Sequence, residues 1–145
     1  MRLNIYKQVT TTVPRKSIEA LFSAVSSGER KSKIDGQINV VFTGDREIRK
    51  LNAEFRGKDK ATDVLSFNVE ATGDPRTVFG ELYISAPTAS RQAKEYGGTL
   101  SEEYLRLVCH GLLHLFGYDH IKKNDAVKME SREEKYLSAV NRRGR

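Results

Sequence analysis

The chain has 145 residues, 38% of them hydrophobic and 30% charged, enough to bury about two thirds of its unfolded surface in one domain spanning 1–145. No apolar run approaches the roughly 20 residues that span a bilayer, and MRLNIYKQVT lacks the apolar core of a signal peptide, so neither a membrane partner nor export is expected. Lys and Arg number 25 against 19 Asp and Glu, a net charge of +6 that suits either a polyanionic partner or a solubilising surface.

In chain order, LNIYKQV alternates apolar and polar residues as a half-buried strand does. Pro14 suits a helix's first turn, and Ile18, Leu21, Phe22 and Val25 then recur at helical spacing. SSGERKSKIDG reads as a polar loop and INVVF as a second strand. Asp45 is placed to cap a helix carrying Ile48, Leu51 and Phe55. The basic loop RGKDKATD leads into the strand VLSFNV, and ATGDPR turns the chain toward another, VFGELYIS. Helices are predicted over SAPTASRQAKEYGG, from Ser101 to about Phe116, and from about Asn124 onward. Ser101 with nearby Glu103 resembles an N-cap, and Gly117 suits a helix stop. The fold class is therefore α+β, a small mixed sheet packed with helices.

All three histidines lie within CHGLLHLFGYDH, residues 109–120. On a helical wheel with Leu105 at zero, Leu112 and Phe116 fall within about 20°, while His110 and His114 fall near about 140° and 180°. The two imidazoles are thus neighbours on the face opposite the apolar stripe, an arrangement whose Nε2 atoms converge on one ion. Gly117 lets the backbone turn so that His120 returns as a third ligand. Three neutral imidazoles with one open position describe a catalytic zinc site, one Zn2+ per chain and no small-molecule cofactor. Cys109 lies on the apolar side and reads as a buried, inert thiol; as the single cysteine it excludes an intrachain disulfide and fits a reducing, cytoplasmic setting. Asp119 reads as a further ligand, an acceptor for a ligand's ring, or a turn residue.

The spacing also matches the metzincin protease pattern H-E-x-x-H-x-x-G-x-x-H, except that Gly111 stands where those proteases carry the glutamate base. Peptide hydrolysis is therefore disfavoured, and Glu at position 111 is not expected to restore it.

HGLLHLFGYDH resembles the signature H-G-x-L-H-L-x-G-Y-D-H of the YbeY family, bacterial metal-dependent endoribonucleases of ribosomal RNA maturation. LNAEFRGKDKATDVLSFNVE resembles the family's second motif, and GELYIS its G-D-I-x-I-S strand. Ala61 and Asn68 stand where prolines are common, and Glu81 replaces an aspartate. The resemblance implies a zincin-like fold with the metal helix late in the chain. It implies His110, His114 and His120 as zinc ligands and Arg56, with His114, as the catalytic residues. Without it, Arg56 reads as a solvated charge in a basic loop; Thr62, Asp63 and Ser66 fall in the matched segment but still read better as strand and turn residues. The implied function is a zinc-dependent, single-strand-directed endoribonuclease that matures the 3′ end of small-subunit 16S rRNA and serves ribosome quality control. Its partner is then ribosomal RNA in the small subunit, with no membrane. A noncatalytic ribosome assembly factor with structural zinc, and a metal-dependent hydrolase of another substrate, are the alternatives.

Overall fold

A computed structural model describes residues 1–29, 35–69, 74–118 and 122–143. Four strands, β1 (Arg2–Lys7), β2 (Gln37–Thr43), β3 (Val64–Asn68) and β4 (Val78–Ser85), form one sheet in the order β1-β2-β4-β3. The first three in that order are parallel, and β3 runs antiparallel along the edge of β4. Helix α1 (Arg15–Glu29) makes the crossover that parallel β1 and β2 require. Helix α2 (Asp45–Arg56) precedes β3; α3 (Ala86–Tyr96), α4 (Leu100–Leu115) and α5 (Lys123–Arg143) follow β4. The mixed sheet with five helices is the α+β class expected.

The two sheet faces differ in kind. Ile38, Val40 and Phe42 of β2 and Leu82 and Ile84 of β4 are fully buried and join one core with α1, α4 and α5. The alternate residues carry a polar row across three strands: the Asn4 amide donates to Gln37 and Asn39, and the Asn39 amide donates to Glu81. Period-two alternation thus separates a core face from a polar one. Gly80 belongs to the core face for a steric reason, since a Cβ there would come within 2.8 Å of the Leu115 methyls. That close approach draws α4 down onto β3 and β4.

Several element ends differ from the sequence expectation. Helix α1 continues through Ser26, Ser27 and Gly28 to Glu29, although those residues read as loop. Tyr136 of α5 packs so tightly on Gly28 that any side chain there would collide with its hydroxyl, so tertiary packing overrides the weak local helix preference. Gly44, not Asp45, is the N-cap of α2, and it makes no side-chain cap. The Asp45 carboxylate instead accepts from Ser85, Thr88 and Arg91, tying the start of α2 to that of α3; these donors hold its pKa below the ordinary value against the opposing effect of burial. The N-cap of α4 is Thr99, two residues before the expected Ser101. Thr99 Oγ1 accepts from the Glu102 amide at 3.1 Å, and Glu102 accepts from the Thr99 amide at 3.0 Å, a complete capping box. Glu103 is held elsewhere, buried against Arg106. Among the described residues no helix is long and apolar enough to cross a membrane.

Candidate metal centre and cleft

Helix α4 buries Leu105, Val108, Cys109, Leu112, Leu113 and Leu115, leaving His110 and His114 partly exposed on the other side, as the helical wheel requires. The two Nε2 atoms are 3.1 Å apart. His114 Nδ1 lies 2.9 Å from the Tyr118 carbonyl oxygen, which can only accept, so Nδ1 carries the proton. His110 Nδ1 lies 2.6 Å from Glu133 Oε1, a carboxylate that takes the same proton position on the second ring. With Nδ1 of each ring turned to its acceptor, both Nε2 atoms face the same small volume. That is the donor chemistry of a divalent metal site, with each ring oriented by an acceptor behind it.

Gly117 ends α4 with φ +101°, a conformation that costs a glycine little and any residue with a Cβ much more. The turn brings the Tyr118 carbonyl back over His114. The Tyr118 hydroxyl meanwhile donates to Glu29 at 2.6 Å, and Tyr136 of α5 donates to the same carboxylate. Both phenols have pKa values raised, Tyr118 chiefly by that bond and Tyr136 chiefly by burial. The end of α1 and the middle of α5 therefore fix the segment that orients His114. His120 and Asp119 lie outside the described residues.

The imidazole pair opens into a cleft of about 790 Å³ between α4, β3 and the loop after α2. Arg56, Lys58, Lys60, Asp63, Ser66 and Asn68 line it with the two histidines. Gly57 closes α2 in the left-handed conformation, and the chain turns there to set Lys58 and Lys60 on the rim. Arg56 donates to the Ser66 carbonyl at 2.7 Å, and its guanidinium lies 5.5 Å from the Phe67 ring centroid. The arginine thus covers the outer edge of β3 while lining the cleft. Ser66 Oγ bonds the Gly111 carbonyl and the Asn68 amide bonds the Leu115 carbonyl, locking β3 to α4 at the histidine level. Asp63 also lines the cleft, but its carboxylate is occupied by the Val64 amide, Thr62 and Gln92. Its turn reading fits these bonds.

Sequence reasoning missed Glu133, which lies 23 residues after its partner and on another helix. A signal was present: Met129, Tyr136 and Val140 form the buried stripe of α5, and Glu133 stands within that stripe where an apolar residue belongs. Cys109, in contrast, is as expected. It is fully buried, and burial with the nearby Glu133 charge pushes its thiol up to about 12. It is expected to resist iodoacetamide at pH 8 in the folded protein and to react fully in denaturant; comparable labelling rates in the two states would contradict this burial.

Known proteins resemble this chain along most of its length. A family model described as Endoribonuclease YbeY matches residues 4–141. Proteins of that name from Desulforamulus reducens and Exiguobacterium sibiricum are 43% and 37% identical to this chain. The first match covers 73% of both chains; the second covers 93% of this one and 94% of the other. The solution structure of TM1509 from Thermotoga maritima superposes with a TM-score of 0.65 at 31% identity, covering 95% of this chain and 88% of that one. A match that runs from β1 into α5 takes in the cleft, both described histidines and Glu133, and this chain belongs to the YbeY endoribonuclease family.

Proposed function

We propose that this chain is a zinc-dependent endoribonuclease acting on single-stranded ribosomal RNA, its chemistry seated in the cleft between β3 and α4. The observation that carries the metal is the imidazole pair. Two Nε2 atoms 3.1 Å apart, each on a ring whose Nδ1 proton is already committed, fit a zinc ion as donors. His120 is the third ligand in this reading. A zinc ion so bound supplies Lewis acidity, polarising a phosphoryl oxygen and easing proton loss from water.

The chain's own residues do the remaining work. Arg56 offers planar N–H donors to the phosphate, and its bond to Ser66 holds the guanidinium in place before substrate arrives. Lys58 and Lys60 contact flanking phosphates, giving affinity that falls with salt. His114, which serves the chemistry as well as the metal in this reading, is held to one tautomer by the Tyr118 carbonyl. The family name supports RNA as substrate. Maturation of the 3′ end of small-subunit rRNA, a part in ribosome quality control, a cytoplasmic location and a single domain over the whole chain are the finer parts of this proposal. The rRNA roles rest on the histidine motif, the location on the single cysteine, and the single domain on chain length and one shared core.

The test is single-turnover cleavage of a precursor rRNA fragment at saturating enzyme and two salt concentrations. Arg56→Ala is expected to keep its metal and fold yet lose about 10²-fold or more in rate, the usual loss of one transition-state donor. Arg56→Lys should recover only part, because a point charge reproduces neither the bidentate contact nor the edge bond to Ser66. Wild-type rates in the saturated Arg56→Ala enzyme would remove Arg56 from the chemistry. Failure of the metal-loaded wild type to cleave would remove the nuclease reading itself.

A further inference from the structure

Phe55 is 62% exposed, one of a few large apolar residues so placed. A lone exposed ring is ordinary. This one is the outer member of a ladder: its centroid lies 5.4 Å from Phe67, and Phe67 lies 5.9 Å from Tyr83, both pairs edge to face. The Phe67 ring also carries the Arg56 guanidinium. Phe67 and Tyr83 project from the polar sheet face, whereas Ser66 and Asn68, their alternates on β3, project toward α4. Arg56 therefore stands at the edge of β3 with the cleft on one side and the rings on the other. Lys58 and Lys60 are on the cleft rim beside it.

We propose that Phe55 is a stacking platform for an unpaired base of the RNA strand as it leaves the cleft over Arg56. This deepens the nuclease reading and rests on it for the identity of the ligand. Charge selects the occupant: an apolar ring beside Arg56, across which lies a cleft lined by Lys58 and Lys60, suits a molecule that carries phosphates and flat apolar faces in alternation, which describes a single strand of nucleic acid. An edge-to-face ladder braces Phe55 while leaving its outer surface accessible, so little ordering is needed on binding. Phenylalanine offers no hydrogen-bonding group, and the platform accepts any base. A duplex, whose bases are already stacked on each other, gains nothing from it.

The experiment uses the full zinc-loaded chain and a fluorescein-labelled single-stranded RNA of about 12 nucleotides, within the usual footprint of such grooves. Affinity is read by stopped-flow anisotropy before turnover. Phe55→Ala and Phe55→Leu are expected to weaken binding by about tenfold, and Phe55→Trp to equal or exceed wild type, since Leu keeps apolar bulk but has no ring face. A series of strands with one abasic position each supplies the decisive cycle. At one position the wild type should lose about tenfold and Phe55→Leu should lose nothing further. A structural role for the ring does not produce that cancellation. Equal affinities for wild type, Phe55→Leu and Phe55→Trp overturn the proposal and leave the ring to a protein partner; so does an abasic penalty that is the same in every variant, or an absence of binding at low salt. Cleavage of the unmodified strand by the wild type is followed in parallel. Binding that depends on Phe55 without cleavage would overturn the nuclease reading while upholding the platform.

Discussion

Gly111→Glu is expected to destroy the fold rather than to install a peptidase. Position 111 follows the first histidine, where metal proteases of the same histidine spacing carry their glutamate, but here it faces the sheet. A Cβ at Gly111 would lie 2.7 Å and 3.0 Å from the two Leu82 methyls and 3.3 Å from Ser66 Oγ. Leu82 is fully buried and has little room to yield. Overpacking of this sort costs about 1–3 kcal/mol for the smallest addition, so Gly111→Ala should already lower the urea midpoint. Glutamate adds a carboxylate in the same seam, bringing the loss to about 5 kcal/mol or more. Typical domains have only about 5–15 kcal/mol in all. Urea unfolding followed by far-ultraviolet circular dichroism measures both variants. A Gly111→Glu protein with wild-type stability would mean that α4 does not sit on β4 as described.

Metal content should fall in a set order across three variants. His114→Ala is expected to retain almost no zinc after dialysis, because two remaining ligands seldom hold the ion against buffer. Glu133→Ala should keep one zinc per chain at saturation but bind it about 10–100-fold more weakly, the usual effect of removing the acceptor behind a ligating ring. Arg56→Ala should bind zinc as the wild type does, since its bonds are to Ser66 and the Phe67 ring. Competitive titration against a chromogenic chelator gives all three affinities. Equal zinc in His114→Ala and wild type would sink the metal assignment. Unchanged affinity in Glu133→Ala would restrict that carboxylate to packing α5.

The order of those effects reflects what periodicity can and cannot convey. His110 and His114 were legible because a helix repeats every 3.6 residues, and the apolar stripe of α4 left only one side for them. Strand limits of β4 were legible for a similar reason, with Gly80 and the alternating VFGELYIS matching the observed Val78–Ser85. Contacts between elements were not legible. Nothing local to CHGLLHLFGYDH announces that Glu133 accepts from His110 or that Glu29 anchors Tyr118. The same limit explains the displaced caps. Ser101 and Thr99 are both competent, and the capping box at Thr99 prevails because Glu102, three residues on, reaches back to its amide. Asp45 looks like a cap by its neighbours alone, yet the start of α3 supplies three donors that its own helix does not. The aromatic ladder is the largest omission. Phe55 and Phe67 lie far apart within one motif and Tyr83 in another, and only the pairing of β3 with β4 under α2 brings the three rings together.

The bond between His110 and Glu133 also gives the site a place in time. A chain grows from its N-terminus, so α4 and both of its histidines exist before the carboxylate of α5 has been made. Until α5 folds back onto α4, the His110 ring lacks the acceptor that selects its tautomer, and Tyr136 is not yet there to share Glu29 with Tyr118. A nascent chain thus carries the histidines without the frame that aims them. The hydrogen-bonded frame of the imidazole pair is therefore complete only once α5 has been made and has packed onto α4.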